Sequence, residues 1–286
     1  MASNDYEAIN KANWDERAPE HAKAPSYSVD RFIKDPKYLS DVVKFDIPLL
    51  PDINGLDIVH LQCHIGTDTI SLARRGARSV VGLDFSSASL EVARSLAASA
   101  AGGDRVKYVE GSVYDAVEAC GAGAFDMVFT GIGALCWIPS IKRWAEVVSK
   151  LLKPGGRLFI REGHPMLWAI DEKVEDHISV RYPYFETQTG EVFDEDTTYV
   201  KLADDSKVKE SGFKSTKTVN WNHGLGETVT ALMSAGLRLE TFVEHKSVPW
   251  EALPGKMRER DDGEFELWEG QMNCPLTYTL VAVKSC

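Results

Sequence analysis

An α/β fold, with a mostly parallel sheet covered by helices on both faces, is predicted for this chain by two observations. From residue 57 onward, short apolar runs alternate with helix-patterned segments at the spacing of right-handed βαβ crossovers. The runs are apolar almost throughout, not at every second position, as strands buried on both faces should be.

The elements follow in order. Residues 1–50 are polar and mixed, with apolar positions at Tyr27, Phe32, Ile33 and Tyr38, and predict an N-terminal cap of short helices. In the core segment, 51–165, DIVHLQC is the first strand. HIGTDTISLARRGA is a helix capped by Thr67 and ended by Gly76. SVVGLD is the second strand, and Ser86 caps a helix on which Leu90, Ala93, Leu96 and Ala97 share a face. VKYVEGS (106–112) and FDMVFTGI (125–132) are the third and fourth strands. Ser140–Leu152 is a helix with Ile141, Trp144, Val147, Val148 and Leu151 on one side. LKPGG then turns into RLFIREG, the fifth strand.

After His164 the rhythm breaks. Residues 166–222 form an insertion, in which TYVKL and STKTVNW predict added antiparallel strands. Residues 223–286 resume with LGETVTALMSAG, a helix ending at Gly236, and LRLETFVEHK, a strand. A second insertion, 247–275, precedes LTYTLVAVK. With no helix before it, this closing strand is expected to run antiparallel at or near the sheet edge.

Composition narrows the function. A formal net charge of −11 argues against a general nucleic-acid binder, which needs clustered Lys and Arg. Cys63, Cys120, Cys136, Cys274 and Cys286 form no CxxC pair, so reduced thiols in the cytoplasm are expected. No secretory start is visible and no stretch of apolar residues is long enough for a membrane span. His60, Cys63 and His64 are possible metal ligands. Strand alternation sets His60 and Cys63 on opposite faces, and no second cluster completes a site, so no metal is expected. Asp194, Glu195 and Asp196 read as a solvated turn.

Ligands of open α/β sheets bind beyond the carboxyl ends of the strands. There, Gly66 opens a helix and lets a ligand approach its N-terminus. Asp84, 18 residues later, ends the second strand, where a carboxylate accepts both hydroxyls of a ribose. Together they favour an adenosine-containing cofactor. A nicotinamide dinucleotide would want GxGxxG, and Gln62 and His64 break that spacing.

With IVHLQCHIG, VVGLDFS, VEGSVYD, FDMVFTGIGAL and LLKPGGRLFI in this order, residues 57–165 resemble the core of class I S-adenosylmethionine-dependent methyltransferases. The resemblance implies a Rossmann-like sheet of seven strands, mostly parallel with an antiparallel last strand, plus a lid over its carboxyl edge. The chain departs from the family pattern at His60, which replaces an acid, at Gln62 and His64, which replace glycines, and at Ser112, which replaces the adenine-loop acid. The implied cofactor is S-adenosyl-L-methionine, with S-adenosyl-L-homocysteine as product. Its expected contacts are Gln62, His64, Gly66, Thr67, Asp84, Phe85, Ser86, Ser112, Val113, Thr130 and Ile132. Trp14 and Arg17 are expected to close over it, Arg17 pairing its carboxylate.

The implied reaction is in-line methyl transfer to O, N or S of a small acceptor. Tyr27, Trp137, Glu162, Trp168 and Trp221 are expected at the acceptor, Glu162 binding a cationic amine. The insertions' aromatics line a pocket there or form the insertions' own core. His164, and after it His223, stand where a general base is needed, and either could instead be a structural hydrogen bonder. Two other readings are a protein or nucleic-acid methyltransferase, disfavoured by charge and by GIGAL after the fourth strand, and a catalytically silent cofactor binder.

Overall fold

The computed structural model describes residues 5–204, 206, 208–270 and 272–285; Cys286 lies outside them. The chain begins with α1 (Asp5–Lys23), α2 (Val29–Lys34) and α3 (Asp41–Asp46). The core alternates β1 (Asp57–Leu61), α4 (Thr67–Arg74), β2 (Ser79–Asp84), α5 (Ser87–Ser99), β3 (Val106–Glu110), α6 (Ala116–Cys120), β4 (Phe125–Thr130), α7 (Ile141–Leu151) and β5 (Leu152–Gly163). The first insertion holds α8 (Pro165–Trp168), β6 (Glu191–Asp194), α9 (Val208–Ser211) and β7 (Lys217–Asn220). The chain then runs through α10 (Leu225–Ser234), β8 (Leu237–His245), the short strands β9 (Ser247–Val248), β10 (Met257–Glu259) and β11 (Phe265–Leu267), and β12 (Thr277–Lys284).

The main sheet has seven strands in the order β3-β2-β1-β4-β5-β12-β8. β1 pairs in parallel with β2 and β4, and β12 runs antiparallel to both β5 and β8. The expected antiparallel closing strand is therefore present, but it lies one place in from the edge, which β8 forms. Strand order reverses between β1 and β4, and their carboxyl ends open a crevice.

Alternation along doubly covered strands sends side chains into two cores. Val59, Leu61, Val128, Leu158, Ile160 and Leu280 pack against Trp144 and Val148 of α7 and Leu232 of α10. Ile58, Val80, Met127, Phe129, Phe159 and Val281 pack against Val43 of α3 and Leu72 of α4.

Four local expectations are corrected. The N-terminal cap is dominated by one helix of 19 residues, α1, because its inner face is polar and carries no apolar stripe. The N-cap of α4 is Gly66, in left-handed backbone, and not Thr67, which is already helical. TYVKL is irregular; the partner of β7 is β6, with Val192 opposite Val219. The second insertion builds a three-stranded sheet in the order β10-β11-β9.

Candidate functional site

After β1 the chain takes left-handed φ three times in five residues, at Gln62 (56°), His64 (48°) and Gly66 (79°). Such backbone costs a residue with a Cβ roughly 1–2 kcal/mol. The loop thus keeps a glycine-type course through two residues that disfavour it. Cys63 N donates to Leu83 O at 3.0 Å and His64 N to Asp84 Oδ2 at 2.8 Å, which hold it in place. At Gly66 no other residue fits, since a Cβ would stand 2.2 Å from Tyr108 Oη and 2.9 Å from Ala93 Cβ.

Asp84 accepts His64 N on one oxygen and Ser86 N, at 2.9 Å, on the other, so each oxygen retains a second lone pair. Burial pushes its carboxyl up to about 6. Ser86 caps α5 by accepting Ser89 N, and Thr67 is buried in the first turn of α4. Gln62 Nε2 donates to Ala134 O at 2.8 Å, but Gln62 Oε1 and Thr130 Oγ1 are buried without a hydrogen-bond partner. Buried polar atoms are ordinarily satisfied, so these two fit a polar ligand at the strand ends.

Beside Gln62 runs a narrow crevice lined by Phe85, Gly111, Ser112, Val113, Trp137 and Ile138, and roofed by Tyr6, Glu7 and Asn10 of α1. It opens into a cleft of about 600 Å³ bounded by Tyr114, Asp115 and Arg143. The roof is latched. Lys11 Nζ donates to Phe85 O at 2.5 Å and Glu110 at 3.0 Å, and Asp15 Oδ1 accepts Ser86 Oγ at 2.7 Å and Ala88 N at 3.1 Å. Ser112 Oγ donates to Glu7 at 3.3 Å. Gln62, Phe85, Ser112 and Val113 thus converge on the crevice, with Gly66, Thr67, Asp84 and Ser86 on the loop and helix ends beside it.

Ile132 does not join them; it packs with Leu167, Ile170 and Val248 under the second insertion. The His64 ring points to α1, with Nε2 3.0 Å from His21 Nδ1 and Nδ1 3.2 Å from Ser89 Oγ. Burial lowers His64 to about 3 and His21 well below its usual value, so both rings are neutral. Trp14 stands edge-on to His64 at 4.9 Å and to Trp137 at 5.2 Å, between crevice and insertion.

Four expected roles are corrected, each because the group is fully occupied. Arg17 donates to the carbonyls of Asn13, Ser215, Glu195 and Thr197, tying α1 to the first insertion, and faces Phe213. Glu162 accepts the N–H groups of Gly133, Ala134, Leu135 and Gly163 at 2.6–2.9 Å and holds the loop after β4. His164 caps α8 by accepting Met166 N on Nδ1, and its Nε2 lies 2.9 Å from Glu244. The partners of His223 are all acceptors: Glu186 at Nδ1, and Leu135 O and Ile138 O at Nε2. The acceptor nitrogen of His164 is thus taken by Met166 N, and both ring nitrogens of His223 stand within hydrogen-bond distance of acceptors of the chain itself.

Of the expected acceptor residues, Tyr27 and Trp168 join one aromatic belt. Tyr27 Oη is hydrogen-bonded to Tyr199 Oη, Tyr199 lies 6.1 Å from Trp250, and Trp250 stacks on Trp168 at 5.8 Å. Trp137 reaches the belt through Trp14. Trp221 lies apart, buried and edge-on to Tyr6 at 5.0 Å. Tyr199 and Trp250 are among the insertion aromatics expected at a pocket or in the insertions' own core, whereas His21 and Asp68 carry no expectation from the sequence. Asp68 carried a usable signal, an acid in the first turn of the helix that opens at the ligand edge.

A family model described as a methyltransferase domain matches residues 58–156. The mitochondrial ubiquinone biosynthesis O-methyltransferase of Dictyostelium discoideum is 26% identical over 164 residues, 53% of this chain and 50% of that protein. The chain therefore matches about half the length of that curated relative. The structure of an S-adenosylmethionine-dependent methyltransferase from Mesorhizobium loti is similar at a TM-score of 0.58, with 20% identity over 86% of this chain and 98% of that one. Geranyl diphosphate C-methyltransferase from Streptomyces coelicolor A3(2) is similar at a TM-score of 0.53, with 15% identity over 84% of this chain and 77% of that one. Residues 58–156 therefore match a methyltransferase domain, set in a chain whose fold is similar to that of S-adenosylmethionine-dependent methyltransferases.

Proposed function

We propose that this protein binds S-adenosyl-L-methionine in the crevice between β1, β2 and β4 and transfers its methyl group to O, N or S of a small organic molecule. The observation that carries the reading is the triple left-handed loop at 62, 64 and 66, tied to Asp84 and flanked by the unsatisfied Gln62 Oε1 and Thr130 Oγ1. Asp84 would accept ribose hydroxyls on its free lone pairs. Phe85, Ser112, Val113 and Trp137 would enclose the adenine, and Gln62, Thr67 and Thr130 would face the amino-acid part. When bound, the cofactor supplies an electrophilic methyl on a sulfonium. The chain's own part is to align the acceptor with it and to exclude water.

Residues 166–222 and 247–275, with α1, are the lid over this edge. Three features support a small acceptor: the net charge of −11, the aromatic belt and the O-methyltransferase name of the curated relative. Among the described residues no helix is long and apolar enough to cross a membrane, and Cys63, Cys120, Cys136 and Cys274 are unpaired, which supports the cytoplasm.

Calorimetric titration tests the reading. S-adenosylmethionine and S-adenosylhomocysteine are expected to bind on the order of micromolar, with loss of more than about tenfold in Asp84→Ala, the scale of a lost hydrogen bond to a charged group. Heat from NAD instead, or from none of the three, would overturn it.

A further inference from the structure

Resting on that reading, we propose that Glu7 of α1 reads the base of the cofactor, its carboxylate accepting a hydrogen bond from the 6-amino group of the adenine. Half-buried Glu7 lines both the crevice beside Gln62 and the cleft into which that crevice opens, so it stands at the junction of the two. The helix sets that position. Glu7, Lys11 and Trp14, spaced by four and three residues, share one face of α1. Two contacts pin this face along the rim: Lys11 Nζ donates to Phe85 O, and Trp14 stands edge-on to Trp137 at 5.2 Å. Phe85 and Trp137 are themselves walls of the crevice.

The sheet orders the polar groups along its carboxyl edge. In the strand order β3-β2-β1-β4, Ser112 follows β3, Asp84 ends β2, Gln62 follows β1 and Thr130 ends β4, with Leu61 paired to Thr130. A nucleoside whose ribose hydroxyls rest on Asp84 therefore extends its amino-acid chain one way, toward the unsatisfied Gln62 Oε1 and Thr130 Oγ1, and its base the other way, toward Ser112. At that end the loop offers a hydroxyl, and the carboxylate comes from a segment 105 residues earlier: Ser112 Oγ donates to Glu7 Oε2 at 3.3 Å.

Glu7 is held there without being used up. Lys11, one helical turn on, is engaged by Phe85 O and Glu110, and among the described residues no hydrogen bond reaches Glu7 Oε1. Its neighbour Asn10 has both ends of its amide committed to Val219. A carboxylate only accepts hydrogen bonds and the 6-amino group of adenine only donates them, so the two match. A base with a carbonyl at that place, such as hypoxanthine, sets an acceptor against an acceptor. Asp115, the other acid nearby, borders the outer cleft but not the crevice.

The test is calorimetry on the full chain with S-adenosylhomocysteine and S-inosylhomocysteine, the second carrying a 6-carbonyl where the first has the 6-amino group. The wild type is expected to bind the first at least about tenfold tighter, the scale of a hydrogen bond to a charged group. Glu7→Gln keeps the shape and adds a donor, and is expected to narrow that ratio to below about threefold, while Asp115→Asn leaves it unchanged. Equal binding of the two ligands by the wild type, a comparison that needs no variant, overturns the proposal. So does a ratio that survives in Glu7→Gln: Glu7 is then only a latch of α1 on Ser112, since loss of a latch weakens both ligands alike. A ratio lost in Asp115→Asn instead gives the base to the outer cleft and overturns it too. If S-adenosylhomocysteine itself fails to bind the wild type, it is the methyltransferase reading that falls; binding without discrimination sinks only this inference.

Discussion

Single residues show where a rule of composition was broken and what holds the break. Gln62 and His64 occupy glycine positions of the loop, and the structure keeps the left-handed backbone there because Leu83 O and the Asp84 carboxylate fix the amides between and at them. Asp68 shows the same trade at a carboxyl. Burial raises it to about 6, above the roughly 3.9 of an unfolded aspartate, so the folded protein binds its proton more tightly. Stability contributed by the protonated form is present below about pH 4 and is lost as pH rises through 6. Asp68→Asn, which carries no titrating proton, is therefore expected to gain up to about 2 kcal/mol over wild type between pH 4.5 and pH 7.5. Urea denaturation at the two pH values measures it; a difference that is flat with pH would show the carboxyl to titrate normally. The histidines that sequence position favoured as bases, His164 and His223, are structural for an equally local reason: each is ringed by partners.

At the scale of elements, α1 is the departure from expectation. Its buried side chains include Asn10, Asn13, Arg17, Glu20 and His21, so it docks by hydrogen bonds where most helices dock by an apolar stripe. Asn10 pairs with both backbone groups of Val219, at 2.9 and 2.8 Å, and Asn13 with Ser215 O at 2.8 Å. The helix thereby completes the polar side of β7. Arg17→Lys removes the planar fork that reaches four carbonyls and leaves one point donor. We expect that change to loosen α1 by about 2 kcal/mol, accelerating hydrogen exchange in residues 5–23 and 191–220 about thirtyfold. Unchanged protection of those segments would mean that α1 is held by other contacts.

For the whole molecule, the packing closes the crevice from above. Lys11 and Asp15 latch α1 to the rim that Phe85, Ser86 and Ala88 form, so a cofactor must enter from the Tyr114–Arg143 cleft or wait for α1 to lift. Asp15→Ala removes two hydrogen bonds of the latch and leaves Ser86 as the cap of α5. Its expected effect is a rise of about three- to tenfold in the association rate of S-adenosylhomocysteine, read by stopped-flow tryptophan fluorescence. An unaltered rate would place entry at the cleft with α1 fixed.

How much of this was legible in the sequence divides along the range of the interactions. The five alternating strands, their helices and the strand-end positions Gly66, Asp84 and Ser86 follow from periodicity and capping, which act over a few residues and leave their mark in order along the chain. The placement of β12 inside β8, the pairing of β6 with β7, and the polar docking of α1 depend on contacts up to 209 residues apart, which no local pattern encodes. The same holds for the site. A histidine after a strand looks alike whether its nitrogens are free or filled, and only the tertiary structure fills those of His164 and His223. It likewise joins Trp14 and Tyr27 of the N-terminal cap to Tyr199 of the first insertion, because the two segments meet over the carboxyl edge of the sheet.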